Sequence, residues 1–253
     1  MNIFNEYYEI ALRSDIGERL EQQDAIDAYI EQDKGILVLC DGMGGFEGGS
    51  IASTLAVNEF INMYKMEAQE VSSEFLTYAM DVIDSKIACL KNERNIRIHA
   101  GSTCVVACLE KRKLRWLSVG DSRLYIIRDG HITQMTRDHT MDLQARIDYA
   151  NGKINYEEFE KEMATKDTLC SYLGLKGIKI FDVSDNSLEL RKDDIVVLAS
   201  DGLYKSLMLE EIYQIILDSL NVEYAALNVI SKAATIAKGK NQDNTSVIIC
   251  KVK

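Results

Sequence analysis

Hydrophobic and polar positions alternate loosely at the start of the chain, so residues 6–16 (EYYEIALRSDI) and 24–30 (DAIDAYI) are predicted as strands. GILVLC at 35–40 is apolar throughout and breaks off at Asp41-Gly42, which predicts a buried strand that stops there. From Gly49 to about Met66 the period lengthens to that of a helix, carried by Ile51, Leu55, Phe60, Ile61 and Tyr64. A second helix is predicted from about Ser72 to Asn92, with Phe75, Ala79, Val82, Ile83, Ile87 and Leu90 on one stripe.

Strand patterns return at 102–110, 113–120, 122–129 and 131–136, and Arg128-Asp129-Gly130 marks a hairpin turn between the last two, so this stretch reads as an antiparallel meander. Residues 138–172 are polar and partly helical, and are expected to form an inserted surface segment. DNSLELR and DIVVLAS (194–200) resume the strands, the latter again ending in Asp-Gly. Two helical stripes follow, Leu209, Ile212, Ile215 and Ile216, then Val229, Ile230, Ala233 and Ala237, before a closing strand, TSVIICKVK. Strands, two helices, strands, two helices and a strand fit an α+β fold, a four-layer αββα sandwich. Two antiparallel sheets would pack face to face between helix pairs, unlike the alternating units of a parallel sheet.

Composition adds boundaries to that picture. A chain of 253 residues, 47% hydrophobic and 27% charged, has the balance of a globular protein, and one domain over 1–253 is expected, since large β-rich units reach this length. The net charge of −11, without a basic stripe, argues against nucleic acid as a partner. The N-terminus has no leader pattern and no stretch approaches the ~20 apolar residues of a membrane span, so a cytoplasmic protein with no membrane partner is expected. Cys40, Cys89, Cys104, Cys108, Cys170 and Cys250 lack C-x-x-C spacing and are expected as buried thiols. Proline is absent, so turns are expected from Gly, Asn and Asp.

The chemistry lies in the carboxylates. Asp41-Gly42 and Asp201-Gly202 each end a buried strand, where Gly would let the backbone turn sharply and bring its carbonyl near a ligand. One such pair is ordinary turn chemistry; two are not. Asp243, before the final strand, and Asp121, inside the meander, are further candidates. Oxygen-only donors suit magnesium or manganese, while three His at no zinc spacing and the absence of a calcium-loop rhythm after Asp41 disfavour zinc and calcium. Two such cations ~3.5 to 4 Å apart turn a bridging water into hydroxide and clamp a phosphoryl group during in-line attack. Arg19 is the candidate for a bidentate phosphate partner.

Seven segments then carry a resemblance: GERLEQQDA (17–25), LVLCDGMGG (37–45), GSTCVVACL (101–109), LSVGDSRLYIIRDG (117–130), QMTRDHT (134–140), LASDGLYKSL (198–207) and QDNTSVII (242–249). In kind and order they resemble the bacterial form of the metal-dependent PPM-type protein Ser/Thr phosphatases, also called protein phosphatase type 2C. The resemblance implies hydrolysis of phosphoserine and phosphothreonine by direct attack of a metal-bridging water or hydroxide at a dinuclear Mn2+ or Mg2+ centre. Asp41 corresponds to the ligand bridging both metals, the Gly42 carbonyl to a ligand of one, and Asp201 and Asp243 to ligands of the other. Asp121, with Asp201, corresponds to the holders of a third, weaker metal. Arg19 corresponds to the phosphate-binding arginine, Asp24 to an acid acting on metal-bound water, and 138–172 to the flap beside the active site. Expected partners are phosphorylated proteins and a cognate Ser/Thr kinase, with the chain a monomer.

Departures from the family pattern are Gln23 where many members carry Glu, Met43 where animal-type members carry His, and Phe46-Glu47 where bacterial members often show His or polar residues. His139 is read as a structural hydrogen-bonding residue and not a proton shuttle. Ser102 and Thr103 are read as strand-entry residues and not nucleophiles, and Trp116 as core. Two rival functions use the same fold: a catalytically inactive binding module, against which the retention of Asp41, Asp121, Asp201 and Asp243 argues, and a phosphatase of small metabolites. A receiver domain, which also clusters acids, needs a parallel alternating fold.

Overall fold

The computed structural model describes residues 1–44, 48–67, 70–92 and 94–253; Phe46 and Glu47 lie outside the described residues. One sheet holds, in spatial order, β1 (Asn2–Phe4), β2 (Tyr8–Asp15), β13 (Thr245–Val252), β12 (Ile195–Ala199), β8 (Arg123–Arg128) and β9 (His131–Gln134). The other runs β10 (Asp182–Val183), β7 (Lys113–Val119), β6 (Cys104–Glu110), β4 (Lys34–Met43) and β3 (Asp24–Glu31). Here β11 (Leu188–Glu189) also pairs β7, and β5 (Gly101–Ser102) pairs β4. Every pairing is antiparallel. The predicted sandwich is what forms.

Period-two alternation sorts each strand's residues into two layers. Leu37 and Leu39 of β4, Val105 and Ala107 of β6, Leu124 and Ile126 of β8, Val196 and Leu198 of β12 and Ile248 of β13 fill the space between the sheets. Their neighbours Ile36, Val38, Cys40, Val106 and Cys108 face outward and are covered by α1 (Gly48–Met66) and α2 (Ser73–Ala88). On the opposite side Val197, Ala199, Val247 and Ile249 are covered by α6 (Leu209–Asp218) and α7 (Val222–Ala237).

The predicted surface segment contains α3 (Met141–Ala150), α4 (Tyr156–Glu162) and a 3-10 turn at Met163–Thr165. Tyr149, Tyr156 and Phe159 pack against one another and hold α3 to α4. The segment's two ends meet at a bridge between Thr140 and Leu169 and a Cys170 N–H to His139 carbonyl bond of 3.0 Å. Beyond it, the Asp84 carboxylate of α2 accepts the N–H groups of Gly174, Lys176 and Gly177 at 2.7, 3.1 and 2.8 Å. The loop leaving the flap is thereby tied to the helical layer.

Four expectations are corrected. β4 does not stop at Asp41 but continues to Met43, because β5 supplies a partner for Gly42 and Met43. A short α5 (Asp201–Tyr204) begins directly after β12, so Asp201 stands in the first turn of a helix. The turn between β6 and β7 is made by Lys111 and Arg112, both at positive φ (47° and 62°); the twist of the flanking strands demands that conformation whichever residues occupy it. Of the six thiols, Cys40, Cys104, Cys108 and Cys250 are buried, but Cys89 is exposed as the C-cap of α2 and Cys170 is half-buried at the flap.

Leu37 is fully buried between the sheets, whereas Leu20 is 99% exposed. Leu37→Ala is therefore expected to cost about 2–5 kcal/mol of stability and Leu20→Ala less than about 0.5 kcal/mol, read from urea denaturation midpoints. Equal losses would contradict this account of where the core sits.

Candidate metal centre and active site

The inward-facing positions that carry Leu39, Ile26, Val105, Leu124, Leu198 and Ile248 continue, at one end of the sandwich, into Asp41, Asp24, Thr103, Ser122, Ser200 and Ser246. The hydrophobic layer thus ends in a polar cap. Thr103 and Ser122 share a hydroxyl bond of 2.7 Å, and Thr103 Oγ1 accepts the Asp41 N–H at 3.0 Å. Ser200 donates to Asp24 Oδ2 at 2.8 Å and accepts the Ser246 N–H at 2.9 Å.

Over this cap lies a cavity of about 290 Å3, lined among others by Arg19, Asp41, Gly42, Thr103, Asp121, Asp201, Lys205 and Asp243. All of the predicted direct metal ligands and Arg19 therefore share one cavity. Asp24 is not in its lining. It is buried (7% exposed) beside Asp41, its register partner across β3 and β4, and its Oδ1 has no hydrogen-bond partner. The flap adds Asp167 and Leu169, which sequence patterning did not single out.

The Asp-Gly steps work differently from the sharp turns expected of them, since neither Gly42 nor Gly202 has positive φ. Each admits a close approach of backbone. A Cβ on Gly42 would lie 2.1 Å from the Gly49 carbonyl oxygen at the start of α1, and one on Gly202 would lie 2.1 Å from the Asn244 carbonyl oxygen. Glycine at both places lets the loop and helix starts close around the acids.

Asn244 organises the loop that carries Arg19. Its Oδ1 accepts the Gln23 N–H at 2.7 Å, and its Nδ2 donates to the carbonyls of Ile16 and Glu21 at 2.8 and 3.0 Å. Glu18 assists by accepting the N–H groups of Gly239 and Asn241 at 2.6 and 2.9 Å. Arg19 then reaches Asp243, Nη2 to Oδ2 2.8 Å, at the exposed rim. Across the cavity the Lys205 ammonium pairs with Asp201 Oδ2.

Burial dominates the acids' titration. It pushes Asp24 up to about 7 against the opposing hydrogen bonds of Ser246 and Ser200, with Asp201 and Asp243 adding repulsion. It raises Asp41 well above the carboxylate range, reinforced by Asp24, Asp201, Asp121 and Asp243. Asp121 rises to about 6 through burial and Asp201. Lys205 is half-desolvated, which lowers its value, but Asp201, Asp121 and Asp41 outweigh this and hold it above the ordinary range.

Among the described residues no group of three or more His, Cys, Asp or Glu is drawn together in a ready-made cation site. Arg19 and Lys205 each pair with one of the acids, Asp243 and Asp201. The donors nevertheless suit a hard divalent cation: they are oxygens, and Asp201 Oδ1, like Asp24 Oδ1, is buried without a hydrogen-bond partner, a costly state that an added positive charge would relieve.

His139 is fully buried. Its Nδ1 accepts the Gly120 N–H at 3.1 Å and its Nε2 lies 3.6 Å from Asp182 Oδ1, the structural role expected of it. Asp182 is half-desolvated, yet His139 and Arg137 hold it well below the usual carboxylate range. Ser102 and Thr103 bond the Asp41 backbone, Ser102 Oγ to Asp41 O at 3.0 Å, and approach no basic side chain as a nucleophile would.

Two face-to-face antiparallel sheets between helix pairs, with acids gathered at one end and a flap beside them, define the class of metal-dependent protein phosphatases. The chain belongs to the protein phosphatase 2C family, whose sequence profile matches residues 13–229. It is similar to a putative protein phosphatase of Mycoplasma genitalium, 24% identical over 98% of this chain and 97% of that protein. It is also similar to the protein phosphatase PhpP of Streptococcus pneumoniae, 28% identical over 82% and 84%. Among solved structures, the serine/threonine phosphatase PstP/Ppp of Mycobacterium tuberculosis superposes with a TM-score of 0.78 at 26% identity, covering 98% of this chain and 99% of that one. A catalytic domain of PstP in complex with two manganese ions gives 0.75 at 27% identity, covering 97% and 98%.

The direction of the acid shifts sets a pH dependence. Asp24 and Asp121 stay neutral in the folded, metal-free chain up to about pH 7 and 6, but ionise in the unfolded chain near pH 4. Their stabilising contribution is complete below about pH 4 and lost as pH rises through 6 to 7. The Tm of metal-free protein should fall between pH 5 and 8, less so in Asp24→Asn, and Mn2+ should restore it at pH 8. A Tm that climbs across this window, or an unchanged slope in Asp24→Asn, would contradict the assignment.

Proposed function

We propose that this chain is a phosphatase of phosphoserine and phosphothreonine in proteins, and that Asp41, the Gly42 carbonyl, Asp201 and Asp243 hold two divalent cations, manganese or magnesium. The observation that carries this reading is the convergence of these groups with Asp121 and Arg19 on one cavity at the polar end of the inter-sheet core. The two manganese ions of the PstP catalytic domain support the choice of metal. When bound, such cations activate water for attack at phosphorus and offset the charge on the phosphoryl oxygens.

The chain's own groups do the rest. Asp41 sits on a strand paired on both sides, which fixes its direction. Asp24, behind it, is a positioning residue: it lies opposite Asp41 in the strand register, beneath the cavity, and Ser200 holds its carboxyl group. Arg19, at the rim, exchanges Asp243 for two oxygens of the substrate phosphate, a geometry its planar fork suits. Asp243 lines the cavity with or without that exchange. The flap, reaching it through Asp167 and Leu169, is where the residues around a phosphorylated side chain are sorted. The whole chain acts as a single phosphatase domain in this account.

Purified protein, stripped of metal and resupplied with Mn2+ or Mg2+, should release phosphate from a phosphothreonine peptide, with Asp201→Asn at least ~100-fold slower. Turnover of sugar phosphates but not of phosphopeptides would replace the protein substrate with a metabolite, and no turnover of either would point to a binding module. Exchanging residues 140–170 with those of a relative should reorder peptide preference while sparing a small aryl phosphate. Loss of aryl phosphate turnover in the exchange would contradict that division of labour.

A further inference from the structure

We propose that Lys205 is a built-in counter-cation for the Asp121–Asp201 side of the cavity, excluding a third divalent ion and leaving the centre dinuclear. The inference rests on the metal-binding reading of the site and concerns which acids remain open to cations. Lys205 follows α5 as its C-cap, its N–H bonded to the Asp201 carbonyl at 2.9 Å, so its side chain returns over the helix start to pair with Asp201 Oδ2. Lys205 lines both the 290 Å3 cavity and a neighbouring one of about 730 Å3, and the other residues common to the two are Asp121 and Asp167 of the flap. Lys205 therefore stands where the two cavities meet, in one lining with Asp121 and Asp201 and paired with the latter.

Its place is reinforced by its neighbour. Tyr204 donates its hydroxyl to the Asp121 carbonyl at 3.1 Å, and the Arg123 guanidinium lies 3.5 Å from the Tyr204 ring centroid, itself held by Asp138. Residues 204 and 205 are thus tied to the Asp121 loop. A lone exposed Lys–Asp pair contributes little, but this one lies in a cavity lining that also holds Asp121 and Asp41. A dication entering between Asp121 and Asp201 would have to displace that ammonium or sit beside it, and like charges at such range repel strongly. Asp41 and Asp243 approach the cavity from other elements, and the pair with Lys205 uses Asp201 Oδ2 while Asp201 Oδ1 has no partner, so the two remaining cation positions keep their donors.

The test is Mn2+ binding to the metal-stripped full chain by isothermal titration calorimetry, for the wild type, Lys205→Gln, Lys205→Arg and Lys205→Gln with Asp121→Asn. Two cations in the wild type and in Lys205→Arg, a third weaker class in Lys205→Gln, and its loss in the double variant are expected. Three cations in the wild type, or two in both the wild type and Lys205→Gln, would overturn the role of Lys205 while leaving the dinuclear reading intact. No cation bound by any of the four would overturn both.

Discussion

Everything at the active end of this molecule depends on how the inter-sheet core is terminated. Two sheets packed face to face alternate their side chains strictly, so the inward set of each strand is fixed once one register is fixed. Along β4 that set is Leu37, Leu39 and then Asp41; along β12 it is Val196, Leu198 and then Ser200, the residue before Asp201. A one-residue slip of β4 would send Asp41 into the layer beneath α1 and bring Cys40 to the cavity. The apolar pairs between the sheets hold the carboxylates in place, and sheet registers such as Asp24 opposite Asp41 and Val197 opposite Ile249 are as much part of the site as the acids.

That termination is electrostatically costly. Asp24 is buried and Asp41 half-buried at the cavity floor, and desolvation together with repulsion from the neighbouring acids drives both toward the neutral form. Hydroxyls from Ser200, Ser246, Thr103 and Ser122 hold the backbone and one carboxylate but bring no positive charge. The two cationic side chains that enter, Arg19 and Lys205, sit on opposite walls and are differently committed. Arg19 lies at an exposed rim on a loop held by Asn244, so exchanging its partner costs little. Lys205 belongs to the same helical turn as the acid it neutralises. In the proposed reading the same kind of charge serves as a substrate contact on one wall and as a fixed counter-ion on the other, and position alone separates the two roles.

The strands, the helix pairs and the four acids that share the cavity were legible because each left a periodic or punctuated trace: apolar runs broken by Asp-Gly at Asp41 and Asp201, and single acids before strands at Asp121 and Asp243. The supporting polar residues left none. Ser200, Ser246 and Thr103 matter only because three strands from two sheets end at one level, and Asn244 matters because it reaches a loop more than two hundred residues away in the chain. The purpose of Gly42 and Gly202 was hidden for the same reason. Glycine reads as a turn when only its own chain is considered, while the Gly49 and Asn244 carbonyls that exclude a Cβ come from elsewhere. Lys205 has no pattern in the sequence to mark it, since its place depends on α5 folding it back over Asp201.

The flap follows a different logic from the core it adjoins. Its base is over-determined, by the Thr140–Leu169 bridge, by the buried His139 between Gly120 and Asp182, and by the three N–H groups on Asp84. Its outer part, α3 and α4, is held chiefly by its own aromatic cluster, and of all their residues only Ala145 is buried. Substitutions there carry little energetic penalty for the sandwich. Asp167 and Leu169, at the return of the flap, are the exception, because they line the cavity itself. In the proposed reading chemistry and selectivity are thus divided along the chain. The first rests on registers that tolerate no slip, and the second on a segment whose ends are fixed and whose middle can vary.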